Sequence, residues 1–147
     1  MSDAGRQDGC FLCAAVSGED DLLVVARDGA TVTVLNRFPY NTGHLMVASA
    51  EHVGDLLAAG DDGAAALMVA ARRAMLALQA ALRPDGFNVG INHGSAGGAS
   101  VDHLHLHVVP RWGGDTNYMP VVGGTKVLSE LLEETGARLR AAFSELR

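Results

Sequence analysis

Positive charge of the kind that binds nucleic acid is scarce in this chain of 147 residues. Lys126 is the single lysine, and the arginines are scattered along the sequence. The formal net charge is −6 at pH 7. Because neutralising backbone phosphates requires clustered lysine and arginine, the composition argues against a nucleic-acid partner.

Long apolar runs are also missing. No stretch approaches the ~18 consecutive apolar residues typical of a membrane-spanning helix, and the polar start MSDAGRQDGC lacks the apolar core of a secretory signal. Aromatic residues make up only 5% and charged residues 19%, yet hydrophobic residues reach 48%, which is enough to fold. We therefore expect a cytoplasmic protein without a membrane partner, with a flexible segment at residues 1–9 and a single domain at residues 10–147.

The apolar pattern predicts an α+β fold. Helical spacing of apolar side chains indicates one helix over residues 61–82 and another from Thr125 onwards. Five short runs have the composition of strands: residues 22–26, 31–35, 43–48, 87–92 and 103–110. Asp28-Gly29, between the first two runs, is typical of a hairpin turn, so the first three strands are expected to form an antiparallel meander.

Three histidines alternate with apolar residues in the last strand candidate: His103, His105 and His107. Alternate side chains of a strand point to opposite faces, so the three imidazoles would share one face at a spacing of roughly 6.6 Å. A solvated strand face seldom has this composition. Two chemistries remain open at this point, a zinc site with histidine ligands and catalysis in which one imidazole attacks as a nucleophile.

A glycine-rich stretch, Asn92 to Ser100, directly precedes these histidines. It has little side-chain bulk and many backbone N–H groups, and such a loop can surround phosphate oxygens. Most glycine-rich stretches are plain turns, but the position of this one favours nucleophilic attack on a phosphate ester over a metal site.

Cys10 and Cys13 form the C-x-x-C spacing of the chain. In a cytosolic protein this spacing indicates half of a metal site, a redox pair or chance. A redox pair expects a helix directly after it within a βαβ unit, which the predicted meander does not supply. A zinc site needs two more nitrogen or sulfur ligands.

With these motifs the sequence resembles the histidine triad (HIT) superfamily of nucleotide hydrolases and transferases. The resemblance rests on the alternating histidines, on Asn36-Arg37-Phe38-Pro39 and on Gly43-His44-Leu45, and it runs from Cys10 to the C-terminal helix. Three further stretches are most similar to small bacterial diadenosine tetraphosphate phosphorylases: Gly86 to Asn92, Pro110 to Asp115 and Gly123 to Val127.

The resemblance implies a five-stranded antiparallel sheet with two helices, extended across a homodimer. It also implies cleavage of dinucleoside polyphosphates, in which His105 forms a covalent nucleotidyl-histidine intermediate and His107 and His44 contact the phosphate or support His105. The implied substrate-binding residues are Asn36 near the ribose, Asn92 near the transferred phosphate, and Gly98, Ala99 and Ser100 in the phosphate loop. Arg111 follows the triad strand and is a candidate for the β- or γ-phosphate, because its guanidinium matches phosphate oxygens.

The same resemblance completes the C-x-x-C with two histidines, at the positions of His52 and His103. It implies a structural zinc site of Cys10, Cys13, His52 and His103 and leaves the other two triad histidines for catalysis. A closed site of four protein ligands has no open position for a reacting water. No organic cofactor is expected.

One departure from the family concerns Ala99, where many members carry a glutamine. The missing amide removes a donor from the phosphate loop, which puts the triphosphate hydrolase branch in doubt and is compatible with inorganic phosphate as acceptor. Alternatives are a nucleoside phosphoramidate hydrolase, a nucleotide-binding regulatory protein with little turnover, and a metal hydrolase that uses all three histidines. His93 is a candidate anion contact or an ordinary loop residue.

Overall fold

The computed structural model describes residues 9–115 and 125–146, in which the chain forms three α-helices and five β-strands. The helices are α1 (Phe11–Ser17), α2 (Asp61–Leu82) and α3 (Thr125–Glu145). The strands are β1 (Val24–Arg27), β2 (Thr31–Leu35), β3 (Leu45–Ser49), β4 (Gly86–Gly90) and β5 (His105–Arg111).

All five strands form one antiparallel sheet in the order β1-β2-β3-β5-β4. Strand β5 therefore lies between β3 and the edge strand β4. Met46 on β3 is opposite His107, and Ala48 is opposite His105. Because directly opposite residues of an antiparallel pair point to the same face, this register places both histidines on the side of Met46 and Ala48.

The two long helices cover the other face of the sheet and form the main core with it. The buried residues of this core include Leu35, Leu45, Val47, Leu67, Ala74, Leu78, Leu104, Leu106, Val108 and Leu139. Leu104, Leu106 and Val108 enter the core as their alternation with the histidines predicts. Each buried side chain of this size contributes about 1.5 to 3 kcal/mol, and a slip of one residue would turn all three to the opposite face.

The histidine-bearing face carries the short helix α1 and a smaller apolar cluster. The buried members of this cluster are Leu12, Ala15, Val24, Val32, Val34, Met46 and Ala48. Helix α1 begins after Cys10, whose Sγ accepts a hydrogen bond from the N–H of Cys13, and it ends at Gly18 in the left-handed conformation (φ 87°).

The predicted five-stranded antiparallel sheet and both long helices are confirmed. Helix α1 is not predicted from the sequence, because seven residues are too few to show a helical period. A helix thus does follow Cys10 directly, contrary to expectation, although it leads into an antiparallel hairpin and not into a βαβ unit. Residues 1–8 of the predicted flexible segment, and Gly123 and Gly124, lie outside the described residues.

Helix α2 is the one helix among the described residues that is long and apolar enough to cross a membrane by length and composition. Arg72 and Arg73 interrupt its apolar run, which is therefore shorter than ~18 consecutive apolar residues. Leu67, Ala74 and Leu78 of this helix are buried in the main core. Core helices of folded domains can be equally long and apolar.

Candidate active site and metal centre

A cavity of about 650 Å³ lies on the α1 face of the sheet. His105, His107 and the glycine-rich loop line one end of it, and Leu23 and Val24 near the start of β1 line the other end. Sites for small ligands commonly have this volume. The predicted nucleophile, the predicted phosphate loop and Asn36 therefore all border one cavity.

The tautomer of His105 is fixed by the backbone. Its Nδ1 lies 2.7 Å from the carbonyl oxygen of His103. A carbonyl oxygen only accepts hydrogen bonds, so Nδ1 of neutral His105 carries the proton and Nε2 holds the lone pair. An imidazole with an unprotonated nitrogen at the edge of a cavity can act as a nucleophile.

His107 is oriented by a second chain of hydrogen bonds, which begins at the backbone of Tyr40. The N–H of Tyr40 donates to Nδ1 of His44 over 3.1 Å, so His44 carries its proton on Nε2. That Nε2 lies 2.9 Å from Nδ1 of His107, to which it donates. His107 is thereby left with its proton on Nε2, as an N–H donor whose ring centroid lies 5.0 Å from that of His105.

Burial keeps the imidazole rings of His44 and His107 neutral. His44 is fully buried, and its burial, together with the nearby His107 and His105, lowers the pKa of His44 to about 4. Burial, and to a lesser degree His105, also lowers the pKa of His107. Because the donor and acceptor roles derived above need neutral rings, the lowered pKa values preserve them at neutral pH.

The glycine-rich loop contains a short 3₁₀ turn at Ser95–Gly97. The N–H of Gly98 donates to the carbonyl of Ser95, and that of Ala99 donates to the carbonyl of Gly94. Of the three predicted phosphate-binding residues, only Ser100 has a backbone N–H without an acceptor in the part of the chain that the structure describes. Among these three residues, Ser100 is thus the one whose backbone N–H is available to an anion within the described structure.

Two predicted polar contacts, Asn36 and Asn92, line the cavity. Oδ1 of Asn36 accepts the N–H of Phe38 over 2.9 Å, which holds the side chain at the end of β2. A Cβ added to Gly98 would lie 3.6 Å from Nδ2 of Asn92, so the loop packs closely on this amide. The Asn36 amide is thus held by a hydrogen bond, and the Asn92 amide lies in contact with the loop.

Arg111 is held by protein groups. Its Nε and Nη2 donate to the two carboxylate oxygens of Asp115 over 2.8 and 2.9 Å, and its Nη1 donates to Oδ1 of Asn88 over 2.6 Å. The guanidinium holds the pKa of the Asp115 carboxyl well below its usual range. Arg111 lines a second cavity of about 500 Å³, which meets the first at His107, and a phosphate would have to compete with Asp115 for its donors.

Cys10, Cys13, His52 and His103 form a separate cluster, with their potential ligand atoms all within 4.8 Å of one another. Nδ1 of His103 lies 3.3 Å from Sγ of Cys10 and 3.6 Å from Sγ of Cys13. Nδ1 of His52 lies 3.2 Å from Sγ of Cys13. In a tetrahedral zinc site of this composition, neighbouring ligand atoms are about 3.3 to 3.8 Å apart, so the donor set fits zinc.

The tautomer of His103 also fits a metal ligand. Its Nε2 lies 2.7 Å from the carbonyl oxygen of Ser49, which must accept the hydrogen bond, and Nδ1 is left with its lone pair facing the two sulfur atoms. A second hydrogen bond of this kind orients most metal-binding histidines. His103 lies in the bend before β5 and is fully buried, so the expectation that all three histidines belong to one strand is wrong for this residue.

Sequence reasoning misses Tyr40 and Asp115. Tyr40 acts through its backbone N–H and through its ring, which stacks on His44 with centroids 5.0 Å apart, and neither contact has a sequence signature. The Asp115 carboxylate requires the turn after β5 to reach Arg111. His93 is exposed and lines neither of the two cavities.

Comparison with known proteins agrees with this geometry. The HIT domain family profile matches residues 17–114. A protein of Mycobacterium tuberculosis named AP-4-A phosphorylase is 48% identical over 118 residues, a match that spans 80% of this chain but only 60% of that protein.

Two solved structures share the fold. A Zn-bound histidine triad family protein from Mycobacterium smegmatis is 31% identical with a TM-score of 0.71, over 91% of this chain and 97% of that one. A Hit-like protein from Bartonella henselae is 24% identical with a TM-score of 0.77, over 92% and 98% of the two chains. Since the profile covers β1 to β5 together with all the triad histidines, this chain belongs to the HIT domain family.

Proposed function

We propose that this protein is a nucleotidyl transferase that cleaves dinucleoside polyphosphates, with phosphorolysis of diadenosine tetraphosphate as its reaction. The observation that carries the proposal is the fixed tautomer of His105, which has its proton bonded to the carbonyl of His103 and its lone pair on Nε2 at the cavity. The relative named AP-4-A phosphorylase supports the choice of substrate.

In the first step Nε2 of His105 attacks the α-phosphorus of the substrate. A P–N bond forms, the bond from this phosphorus to the bridging oxygen breaks, and ATP leaves from diadenosine tetraphosphate. The ring becomes cationic as the P–N bond forms, and the carbonyl of His103 stabilises that charge through Nδ1–H. The Nε2–H of His107 donates to a phosphate oxygen and the N–H of Ser100 to another, so negative charge on the phosphorus oxygens is met by two donors.

In the second step an oxygen of inorganic phosphate attacks the same phosphorus. The P–N bond breaks, ADP forms and His105 returns to its neutral state. Water in place of phosphate would give AMP. This double displacement predicts ping-pong kinetics.

We further propose that Cys10, Cys13, His52 and His103 hold a structural zinc ion. Four protein ligands close the coordination shell, so the metal would stabilise the fold near β5 and supply no reacting water. Thiolate ligands persist in a reducing compartment, which agrees with a cytoplasmic location.

We also propose that the protein forms a homodimer. Strand β4 is an edge of the sheet, and Asn88, Val89 and Gly90 on it are exposed. An exposed edge offers unpaired backbone groups to a second copy of the chain. Light scattering coupled to size exclusion will show a mass of two chains if this holds.

The test is product analysis from diadenosine tetraphosphate with and without inorganic phosphate, together with trapping of a labelled protein by an alkaline quench, because the P–N bond of a nucleotidyl-histidine is labile in acid. We expect ADP plus ATP with phosphate, and base-stable radiolabel on the wild-type protein. His105→Ala should abolish turnover and labelling, whereas His93→Gln, a matched change of an exposed histidine outside the cavity, should leave both intact.

Other products would identify the alternatives. AMP plus ATP irrespective of phosphate means asymmetric hydrolysis, and faster cleavage of adenosine phosphoramidate than of the tetraphosphate means a phosphoramidate hydrolase. Saturable nucleotide binding with neither label nor products means a regulatory protein. Retained turnover in His105→Ala would remove the mechanism.

A further inference from the structure

The walls that α1, β1 and the segment joining them contribute to the main cavity are apolar, with one exception. Of the lining residues that belong to α1, to β1 and to the segment joining them, the apolar members are Phe11, Ala15, Leu23 and Val24. The remaining member is Asp20. Its carboxylate is therefore the one polar side chain that these three elements contribute to the cavity, and Arg37, after β2, is the cationic side chain of the lining.

The backbone fixes the position of Asp20. Its N–H donates to the carbonyl of Ala14 over 3.2 Å, and its Oδ1 accepts the N–H of Leu22 over 3.1 Å. The neighbouring Asp21 forms an ion pair with the guanidinium of Arg27. Within the described residues Asp20 thus has no cationic partner, and an ionised carboxylate retains further acceptor sites.

The sheet sets the distance between Asp20 and the nucleophile. Three strand spacings of ~4.8 Å separate β5 from β1, so the two ends of the cavity are roughly 14 Å apart. A nucleoside monophosphate with its phosphate at His105 and its ribose at Asn36, on the end of β2, extends its base toward β1. A base at the far end would lie between the apolar walls with its polar edge at the Asp20 carboxylate.

We infer that Asp20 selects the base, because its carboxylate accepts a hydrogen bond from the exocyclic amine of a purine. This inference rests on the proposed nucleotide site and deepens it. Adenine offers its 6-amino group, and guanine offers its 2-amino group beside N1–H. Hypoxanthine and uracil present carbonyl oxygens next to their single ring N–H, and an acceptor facing an acceptor is unfavourable.

The test measures binding, so that it does not depend on turnover. The probes are AMP, GMP, IMP, UMP and the monophosphate of purine riboside, which is AMP without its amine, titrated into the wild-type protein by calorimetry. We expect AMP or GMP to bind about three- to tenfold more tightly than purine riboside monophosphate, in line with one hydrogen bond to a charged, partly solvated group. The AMP and GMP arms identify which amine is preferred.

Two variants and a control separate the role of Asp20 from general effects on the fold. Asp20→Ala should bring the ratio of AMP to purine riboside monophosphate close to one. Asp20→Asn adds an amide donor for the 6-carbonyl and should improve IMP relative to AMP. Asp21→Asn makes the same substitution outside the cavity and should leave every ratio unchanged.

Equal binding of AMP and purine riboside monophosphate to the wild type, or an unchanged ratio in Asp20→Ala, would overturn the inference. The proposed function fails differently. Amine-selective binding without cleavage of dinucleoside polyphosphates would leave the Asp20 assignment standing, and cleavage that ignores the amine would leave the proposed function standing.

Discussion

The carbonyl oxygen of His103 accepts a hydrogen bond from Nδ1 of His105 over 2.7 Å. The imidazole of the same His103 faces Cys10 and Cys13. One residue therefore borders both sites, because its ring belongs to the cysteine cluster and its carbonyl sets the tautomer of the neighbouring imidazole. A change that moves His103 is expected to disturb the cluster and the cavity together.

The first prediction concerns the metal cluster. We expect the wild type to bind one zinc ion per chain, and Cys13→Ser should lose this ion and have a lower melting temperature. At free zinc a thousandfold above Kd, binding to the folded state alone contributes about 4.1 kcal/mol, which is roughly 10 °C for a chain of this size. Metal analysis and thermal unfolding are the measurements.

Ala14→Ser is the matched control, since it adds a hydroxyl one position away on the same helix. It should keep both the metal and the melting temperature. Chelation should destabilise the wild type toward the level of Cys13→Ser. A fold that is intact, metal-free and equally stable in all three proteins would contradict the assignment.

The second prediction concerns His44, which touches His107 and does not line either cavity. His44→Ala removes the donor that holds His107 in position, so kcat for the proposed substrate should fall about 10- to 100-fold with little change in KM. His44→Gln keeps a side-chain N–H at this place and should recover part of the loss. Equal activity in His44→Ala and the wild type would show that the hydrogen bond has no positioning role.

The sequence predicts the elements whose residues repeat with a regular period, namely strand β5 and the two long helices. The alternation of β5 is visible because burying Leu104, Leu106 and Val108 imposes a period of two, and the long helices are visible through their period of three to four. Helix α1 has too few residues for a period, and its start depends on Sγ of Cys10 accepting an N–H. No pattern of side-chain types records that contact.

The site divides in the same way. The family resemblance already separates His103 from His105 and His107, and the structure supplies the physical reason, because His103 lies in the bend before β5 and not on the strand. The tautomers depend on backbone groups, the carbonyls of Ser49 and His103 and the N–H of Tyr40. Backbone groups are the same in every sequence, so only the fold shows where they point.

The third prediction concerns Gly43, which directly precedes His44 and has a φ of +84°. A Cβ there would lie 2.5 Å from Cδ1 of Leu82 and 3.1 Å from Cδ2 of Leu78. Gly43→Ala should therefore destabilise the protein by about 2 to 4 kcal/mol, from the left-handed backbone and from overpacking. Gly29→Ala, where a Cβ meets nothing within 4 Å, should change the free energy of unfolding by less than about 1 kcal/mol in denaturant titrations. Similar losses in both variants would contradict the packing argument.

The last prediction concerns pH. Burial lowers the pKa of His44 from 6.5 to about 4, so between these values the unfolded chain binds a proton that the folded protein excludes. The stability associated with neutral His44 is therefore complete above pH 6.5 and is lost as the pH falls toward 4, with a slope that approaches about 1.4 kcal/mol per pH unit.

Urea unfolding of the wild type and of His44→Asn between about pH 4.5 and 7.5 measures the difference in slope. Both proteins have the same four residues in the cysteine cluster, so that cluster does not contribute to the difference. The variant should show the shallower dependence, and His93→Gln should match the wild type because His93 is exposed. Parallel curves for the wild type and His44→Asn would mean that His44 does not stay neutral in the folded protein.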